Sequence, residues 1–395
     1  MWWFLLQIII GISFWVPPLF FLVGKCRKKR KISVEGKSVP SLDYAIIVTA
    51  YQQVDLIEEV VQSILNINYE RYIIYVVADN CDISQLHINN ERVRILRPEK
   101  VLASNIRSHF YAIDRFERNH DIVTIIDSDN LIDKEYLNQL NAYFAAGYKA
   151  VQGVRKAKNL NTVYACLDEA GDIYYRYIDR KLPFDAGSSA SLAGSGMAFT
   201  VDIYKKCLGE MLIEGAGFDK VLQYELLRRN EHIAFAEQVI VYDGKTAKSD
   251  QLVKQRARWI NTWFRFWMLG LKMMFRSIVR FDWNQFAFSL MLMRPPLFLM
   301  LLITGLVCLI NIFVSPWFLV YWGVTLLVFF IFFFGALHYF RADKRIYKSI
   351  TYAPRFIFYQ LLAFVKAKRA NQLSVATEHD SGSAHYEIEE LRKNK

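Results

Sequence analysis

"IVTIIDSDNLID", residues 122–133, decides the fold: five apolar or β-branched residues run straight into Asp127, Ser128 and Asp129 before the apolar character resumes. Taken alone it is equally a strand that ends in an ordinary turn, since Asp and Asn bond their own backbone and favour turns. Its neighbours place it in a series. "DYAIIVTAY" (43–51) reads as a strand, "VDLIEEVVQSILNI" (54–67) as a helix and "YIIYVVADN" (72–80) as a strand. "RVRILR" (92–97) reads as a short strand and "ASNIRSHFYAIDRFE" (103–117) as a helix. This alternation predicts βαβ units and a mostly parallel sheet, an α/β fold. Ligands of such sheets bind beyond the carboxyl ends of the strands. Asp79 ends the second strand; Asp127 and Asp129 end the fourth.

Outside this region the chain is suited to lipid. Of 395 residues, 53% are hydrophobic and 15% aromatic, too apolar for a purely soluble enzyme. Residues 1–24 carry no charge and the next seven, "KCRKKRK", carry six positive ones. At ~1.5 Å per residue the uncharged run reaches across a ~30 Å hydrocarbon core. A cleaved signal peptide would have a shorter apolar region, basic residues before it and a small-residue cleavage site after it, so a retained anchor is expected. From Pro295 to Phe340, 46 residues contain no Asp, Glu, Lys or Arg. That length predicts two spans, with a turn near "NIFVSPW" (311–317), where Asn311 and Pro316 break the pattern. Arg294 precedes the pair and Arg341, Lys344 and Arg345 follow it. The positive-inside rule then places residues 25–294 on the cytoplasmic side of a three-span protein.

Five cysteines without a CxxC or a His cluster indicate neither a disulfide framework nor a zinc site. The net charge of +11 lies largely beside the apolar runs, where it meets anionic headgroups rather than nucleic acid. No GxGxxG follows the first strand and no GxxxxGK[ST] occurs. A nucleotide at the strand ends would need another way to neutralise its phosphates. Two carboxylates one residue apart suit a bridging Mg²⁺ or Mn²⁺, which take a few hard oxygen ligands plus phosphate oxygens.

Together "VTAY", "VVADN", the DxD at 127–129, "GSGMAF" (194–199) and "QRARW" (255–259, matching QxxRW) resemble the family 2 glycosyltransferases of GT-A fold. QxxRW just before membrane segments resembles cellulose and hyaluronan synthases and ceramide glucosyltransferases. The resemblance implies a nucleotide-diphosphate sugar donor, UDP-linked, with Asp79 on the nucleotide base and Thr49, Ala50 and Tyr51 lining the same pocket. It implies that Asp129 coordinates the metal directly and that Asp127 contacts sugar, ribose or the metal shell. Asp219, in "GAGFDKVLQYELL" (215–227), matches the family's general base, with Phe218 where Glu is common. Gly194, Ser195 and Gly196 would allow close backbone approach to sugar or acceptor. Gln255, Arg258 and Trp259 would lie under the acceptor and beside the diphosphate. A plainer alternative stands beside each assignment: a turn cap at Asp79, a helix N-cap at Asp219, a flexible turn at the glycines and an interfacial anchor at Trp259. A Lys that the family often carries near "KxxAL" is replaced here by "LASNIRSH" (102–109).

The expected organisation is an anchor (1–24), a basic linker (25–41), a GT-A domain (42–260), interfacial helices (261–294), a transmembrane hairpin (295–340), a basic interfacial segment (341–376) and a polar tail (377–395). Three spans make a narrow conduit for a polymer. The acceptor is then a lipid, or a polysaccharide made by a synthase that needs a partner subunit or self-association. A catalytically idle nucleotide-sugar sensor or scaffold is the rival reading.

Overall fold

The structure is a computed structural model that describes residues 2–27, 32, 41–84, 86–209, 211, 217–247 and 249–366. Most of the expected basic linker, Gly215 and Ala216 of the segment before Asp219, the end of the basic interfacial segment and the polar tail lie outside the described residues. The chain forms two compact units. One draws on Met1–Lys29, Cys166–Ala190 and Lys248–Ala370, and the other on the stretches between them.

The second unit holds the sheet. In chain order come β1 (Tyr44–Tyr51), α2 (Ile57–Leu65), β2 (Tyr72–Asp79), β3 (Val93–Leu96), α3 (Asn105–Ile113), β4 (Ile122–Asp127) and β5 (Leu131–Ile132), after helix α1 (Trp2–Cys26) of the other unit. They continue with α4 (Tyr136–Ala145), β6 (Ala150–Ala157), β7 (Met197–Thr200), α7 (Val201–Leu208), α8 (Phe218–Arg228) and β8 (Ile233–Asp243); between β6 and β7 the chain passes through α5 (Val163–Arg176), a π-helical turn (Tyr177–Lys181) and α6 (Leu182–Asp185), which from Cys166 onward belong to the other unit. The strand order is β3-β2-β1-β4-β7-β6-β8-β5. β3, β2, β1 and β4 are parallel, as are β6 and β8, whereas β7 runs antiparallel between β4 and β6. Tyr44–Val48 and Ala50 are almost wholly buried, as an apolar central strand covered on both faces must be. α2 buries Ile57, Val60, Val61 and Ile64, one helical stripe. At the amino ends of the strands, Asp43 accepts from His120 Nδ1, and His120 Nε2 lies 2.9 Å from the Tyr75 hydroxyl. This chain ties β1, β2 and the entry to β4 together.

Among its described residues the first unit contains three helices long and apolar enough to cross a membrane: Trp2–Cys26, Leu297–Val314 and Phe318–Tyr339. They are α1, α11 (Leu297–Val314) and most of α12 (Trp317–Tyr339); before them come α9 (Ser249–Arg280) and α10 (Trp283–Met293), and after them α13 (Lys344–Ser349) and α14 (Ala353–Lys366). The hairpin turn is tighter than the expected 311–317. Only Ser315 and Pro316 separate α11 from α12, and Asn311 sits inside α11, fully buried. Asn311 continues the helix because its amide finds a partner across the bundle. Its Nδ2 donates to Gln7 Oε1 (2.6 Å) and its Oδ1 accepts from Gln7 Nε2 (3.3 Å) and Trp3 Nε1 (3.1 Å). Gln7 Oε1 also accepts from Trp322 Nε1 (2.7 Å), so one polar knot joins α1, α11 and α12. The expected surface helix after QxxRW is the second half of α9, a single 32-residue helix beginning before the motif. α9 leaves Phe264, Met268, Phe275, Ile278 and Val279 exposed, while Val253, Ala257 and Ile260 pack with Phe298 and Ala363.

Candidate active site

The parallel register aligns the acids. Tyr51 pairs with Asp79 across β1 and β2, and Thr49 pairs with Asp127 across β1 and β4, so three adjacent strands end together. Ala50 is buried, whereas Thr49 and Tyr51 remain partly open. Asp79 is 1% exposed, and its two oxygens accept the backbone N–H groups of Leu102 (2.9 Å) and Ala103 (2.7 Å). The "LASNIRSH" segment, which lacks the family lysine, thus uses its backbone to hold Asp79. Each carboxylate oxygen keeps a second lone pair for a ligand.

Beneath the DxD turn lies a lock built from the glycine segment. The Asp127 N–H donates to Ser195 Oγ (3.1 Å), and Ser195 is fully buried. The Asn130 amide oxygen accepts from that hydroxyl (2.7 Å), and its nitrogen donates to Asp129 Oδ1 (3.1 Å) and Asp243 Oδ1 (3.2 Å). Gly196 adopts φ +67°, and a Cβ there would stand 2.6 Å from Val241 Cγ2 on β8. Gln152 completes the support: its Nε2 donates to the Ser195 carbonyl (3.1 Å) and its Oε1 accepts from Ala193 N (2.8 Å). In this arrangement Ser195 braces the acids through its side chain.

Asp243, at the end of β8, brings a third carboxylate close. Arg155 Nη2 (2.7 Å) and Lys245 Nζ (3.1 Å) both pair with its Oδ2. Burial is the main cause that pushes the Asp127 carboxyl up to about 7, with Asp129 and Asp243 adding repulsion and Arg155 opposing it. Such crowding among hard oxygen donors fits a divalent cation. Among the described residues no cluster of three or more His, Cys, Asp or Glu forms an all-protein cage. Asp127 and Asp129 would therefore share the ion with phosphate oxygens and water, the mode Mg²⁺ and Mn²⁺ favour.

Asp219 stands in the first turn of α8, and the N-cap is Gly217 at φ 101°, so the capping alternative does not hold for Asp219. Its contact among the described residues is Lys220 Nζ at 3.6 Å. One turn on, Gln223 Oε1 accepts from Leu192 N (3.1 Å), which docks α8 on the segment that leads into the Ser195 lock. Phe218 is turned away into the core. Its ring meets the buried His109 ring edge-on at 5.3 Å, and burial depresses the His109 imidazole to about 3, leaving it neutral. Apolar packing on a neutral ring explains why this position holds Phe rather than an acid.

Gln255, Arg258 and Trp259 lie on α9, in the other compact unit. Trp259 is exposed, and burial lowers the Arg258 guanidinium from its ordinary value. Arg256, inside the same motif but not singled out by it, is buried against Asp168 and sits 4.2 Å from the Trp259 ring centroid. Sequence reading also passed over Gln152, Arg155, Lys158, Asp243, Lys245 and Gln223. Their signal is weak, because they gather only once β6, β7 and β8 pair. A cavity of about 640 Å³ lined by His120, Asp121, Lys149 and Arg229 lies at the other end of β4 from Asp127 and does not include Asp79, Asp127 or Asp129.

Among solved structures, the mannosyltransferase PcManGT from Pyrobaculum calidifontis, in complex with GDP-Man and Mn²⁺, superposes with a TM-score of 0.54 at 15% identity, covering 91% of this chain and 98% of that one. That likeness establishes the GT-A fold. S. aureus TarS 1-349 in complex with UDP-GlcNAc gives a TM-score of 0.41 at 13% identity, covering 59% of this chain and 67% of that one. Comparison with curated proteins returns no match. The model of glycosyltransferase like family 2 matches residues 40–262, more than half of the chain and inclusive of the strand-end acids, the Ser195 segment and QRARW, and the protein belongs to that family of glycosyltransferases.

Proposed function

We propose that the protein is a membrane-integral, inverting glycosyltransferase that moves a sugar from a nucleotide-diphosphate donor, UDP-linked, to a hydroxyl of a lipid or a growing polysaccharide on the cytoplasmic side. The observation that carries this reading is the acidic edge shared by β1, β2 and β4, with Asp127 and Asp129 braced from below by Ser195 and Asn130. Asp79 and the Thr49–Tyr51 edge take the nucleoside, and Asp127 and Asp129 hold the diphosphate end with Mg²⁺ or Mn²⁺. A divalent cation bound there supplies Lewis-acid neutralisation of diphosphate charge.

The acceptor oxygen forms a bond to the anomeric carbon, and its proton passes to the Asp219 carboxylate. The bond from that carbon to the β-phosphate oxygen breaks, and the nucleoside diphosphate leaves with the electron pair. Gln255, Arg258 and Trp259 enter the proposal through the QxxRW motif. A lipid acceptor needs no conduit, which suits three apolar helices.

Purified protein is incubated with Mn²⁺, membrane lipids and a panel of UDP- and GDP-linked sugars. Donor-dependent release of nucleoside diphosphate is expected. Asp219→Asn should keep donor binding and lower turnover on the order of 10²- to 10⁴-fold; near-normal turnover would remove Asp219 from the base role. Donor binding by the wild type without any turnover would instead identify a sensor or scaffold.

A further inference from the structure

Lys158, just beyond β6, is 3% exposed, and its Nζ donates to the backbone carbonyl of Asp129 at 2.9 Å. An ammonium has three donors. Among the described residues no carboxylate lies within ion-pair distance of this one. The neighbouring cations differ, since Arg155 and Lys245 are both committed to Asp243. A buried ammonium answered by one neutral acceptor is costly. Such a cost is tolerated where a ligand brings the missing charge. The backbone around Lys158 is also fixed more firmly than a loop requires. Its N–H donates to the Asp243 carbonyl (2.8 Å), while Asn159 exchanges two hydrogen bonds with the Lys245 backbone (2.7 and 3.1 Å).

We infer that Lys158 is a leaving-group residue: its ammonium binds the β-phosphate of the nucleoside diphosphate. This rests on the donor reading above. When the bond from anomeric carbon to β-phosphate oxygen breaks, that oxygen keeps the electron pair and the diphosphate gains one negative charge. Two N–H donors on Lys158 that have no partner among the described residues meet that charge without any proton transfer. The interaction strengthens as the charge develops, so it favours the transition state and the product over the intact donor.

The test compares wild type, Lys158→Met and Lys158→Arg in detergent with Mn²⁺, using calorimetry with UDP, GDP and the matching nucleosides, and steady-state kinetics. Lys158→Met should weaken nucleoside diphosphate binding roughly ten- to hundredfold, leave nucleoside binding unchanged and lower kcat more than it raises KM for the donor. Lys158→Arg should restore part of the diphosphate affinity. If Lys158→Met binds nucleoside diphosphate like wild type, or loses nucleoside and diphosphate affinity in parallel with its melting temperature, Lys158 is a strut for the DxD turn and the inference fails. If wild type binds neither UDP nor GDP, the donor reading itself fails.

Discussion

Asp127 shows how one residue can be held against its own preference. The Ser195 and Asn130 lock fixes the turn, and burial together with Asp129 and Asp243 keeps the carboxyl near 7 rather than its ordinary 3.8. A raised carboxyl pKa means that the folded state keeps a proton the unfolded state has lost. Stability therefore falls as pH rises through that interval and stays low above it. A divalent cation bound there would reverse the penalty, since an ionised carboxylate is what the cation needs. Without metal, Asp127→Asn should melt higher than wild type at about pH 8, and the difference should shrink towards pH 4. Adding Mn²⁺ should raise the melting temperature of wild type more than that of Asp127→Asn. Equal melting of the two chelated proteins at the higher pH would show that the acid cluster stores no such repulsion.

Among elements, the polar knot of α1, α11 and α12 explains how three uniformly apolar helices find one register. Lipid tails are as apolar as Leu, so packing alone discriminates weakly between rotations, and buried amides that bond only each other select one. Gln7→Leu should leave the Asn311 amide and the Trp322 N–H short of partners and lower bundle stability by about 1 kcal/mol. Asn311→Leu should behave alike, and the double substitution should cost less than the sum, since neither amide is then left facing a missing partner and only the Trp3 and Trp322 N–H groups remain short of one. Strict additivity in detergent unfolding would mean that the pair is not coupled. Asn311 also marks a limit of sequence reading. A lone amide in an apolar run looks like a break until its partner, some three hundred residues away, is known. β1, β2 and β4 were legible because each is a continuous apolar run, and β2 and β4 end at an acid. β7 was not, because its four residues owe their strand to antiparallel neighbours on both sides. Of the site, the DxD acids stood out by spacing, whereas Asp243, Lys158 and Gln152 acquire meaning only through the pairing of β6 with β7 and β8.

At the scale of the whole molecule, the chain divides into a sheet unit that carries the acids and a helical unit that carries the apolar spans, and the chain crosses between them several times. Which side of the bilayer receives the sheet unit decides which donor pool it meets. Positive charge after α1 and around the α11–α12 hairpin predicts the cytoplasmic side by the positive-inside rule. The protein contains its own reporter. Cys26, at the end of α1, is exposed, whereas Cys81, Cys166 and Cys207 are buried and Cys308 lies within α11. A membrane-impermeant maleimide should therefore modify the protein in inverted vesicles and spare it in right-side-out ones. Cys26→Ser should abolish the label in the inverted vesicles, which assigns it to that thiol. Modification of Cys26 in sealed right-side-out vesicles would put the basic cluster, and the acids that follow it in the chain, on the external face. The proposal of a cytoplasmic nucleotide-sugar donor would then fall, whatever the fold.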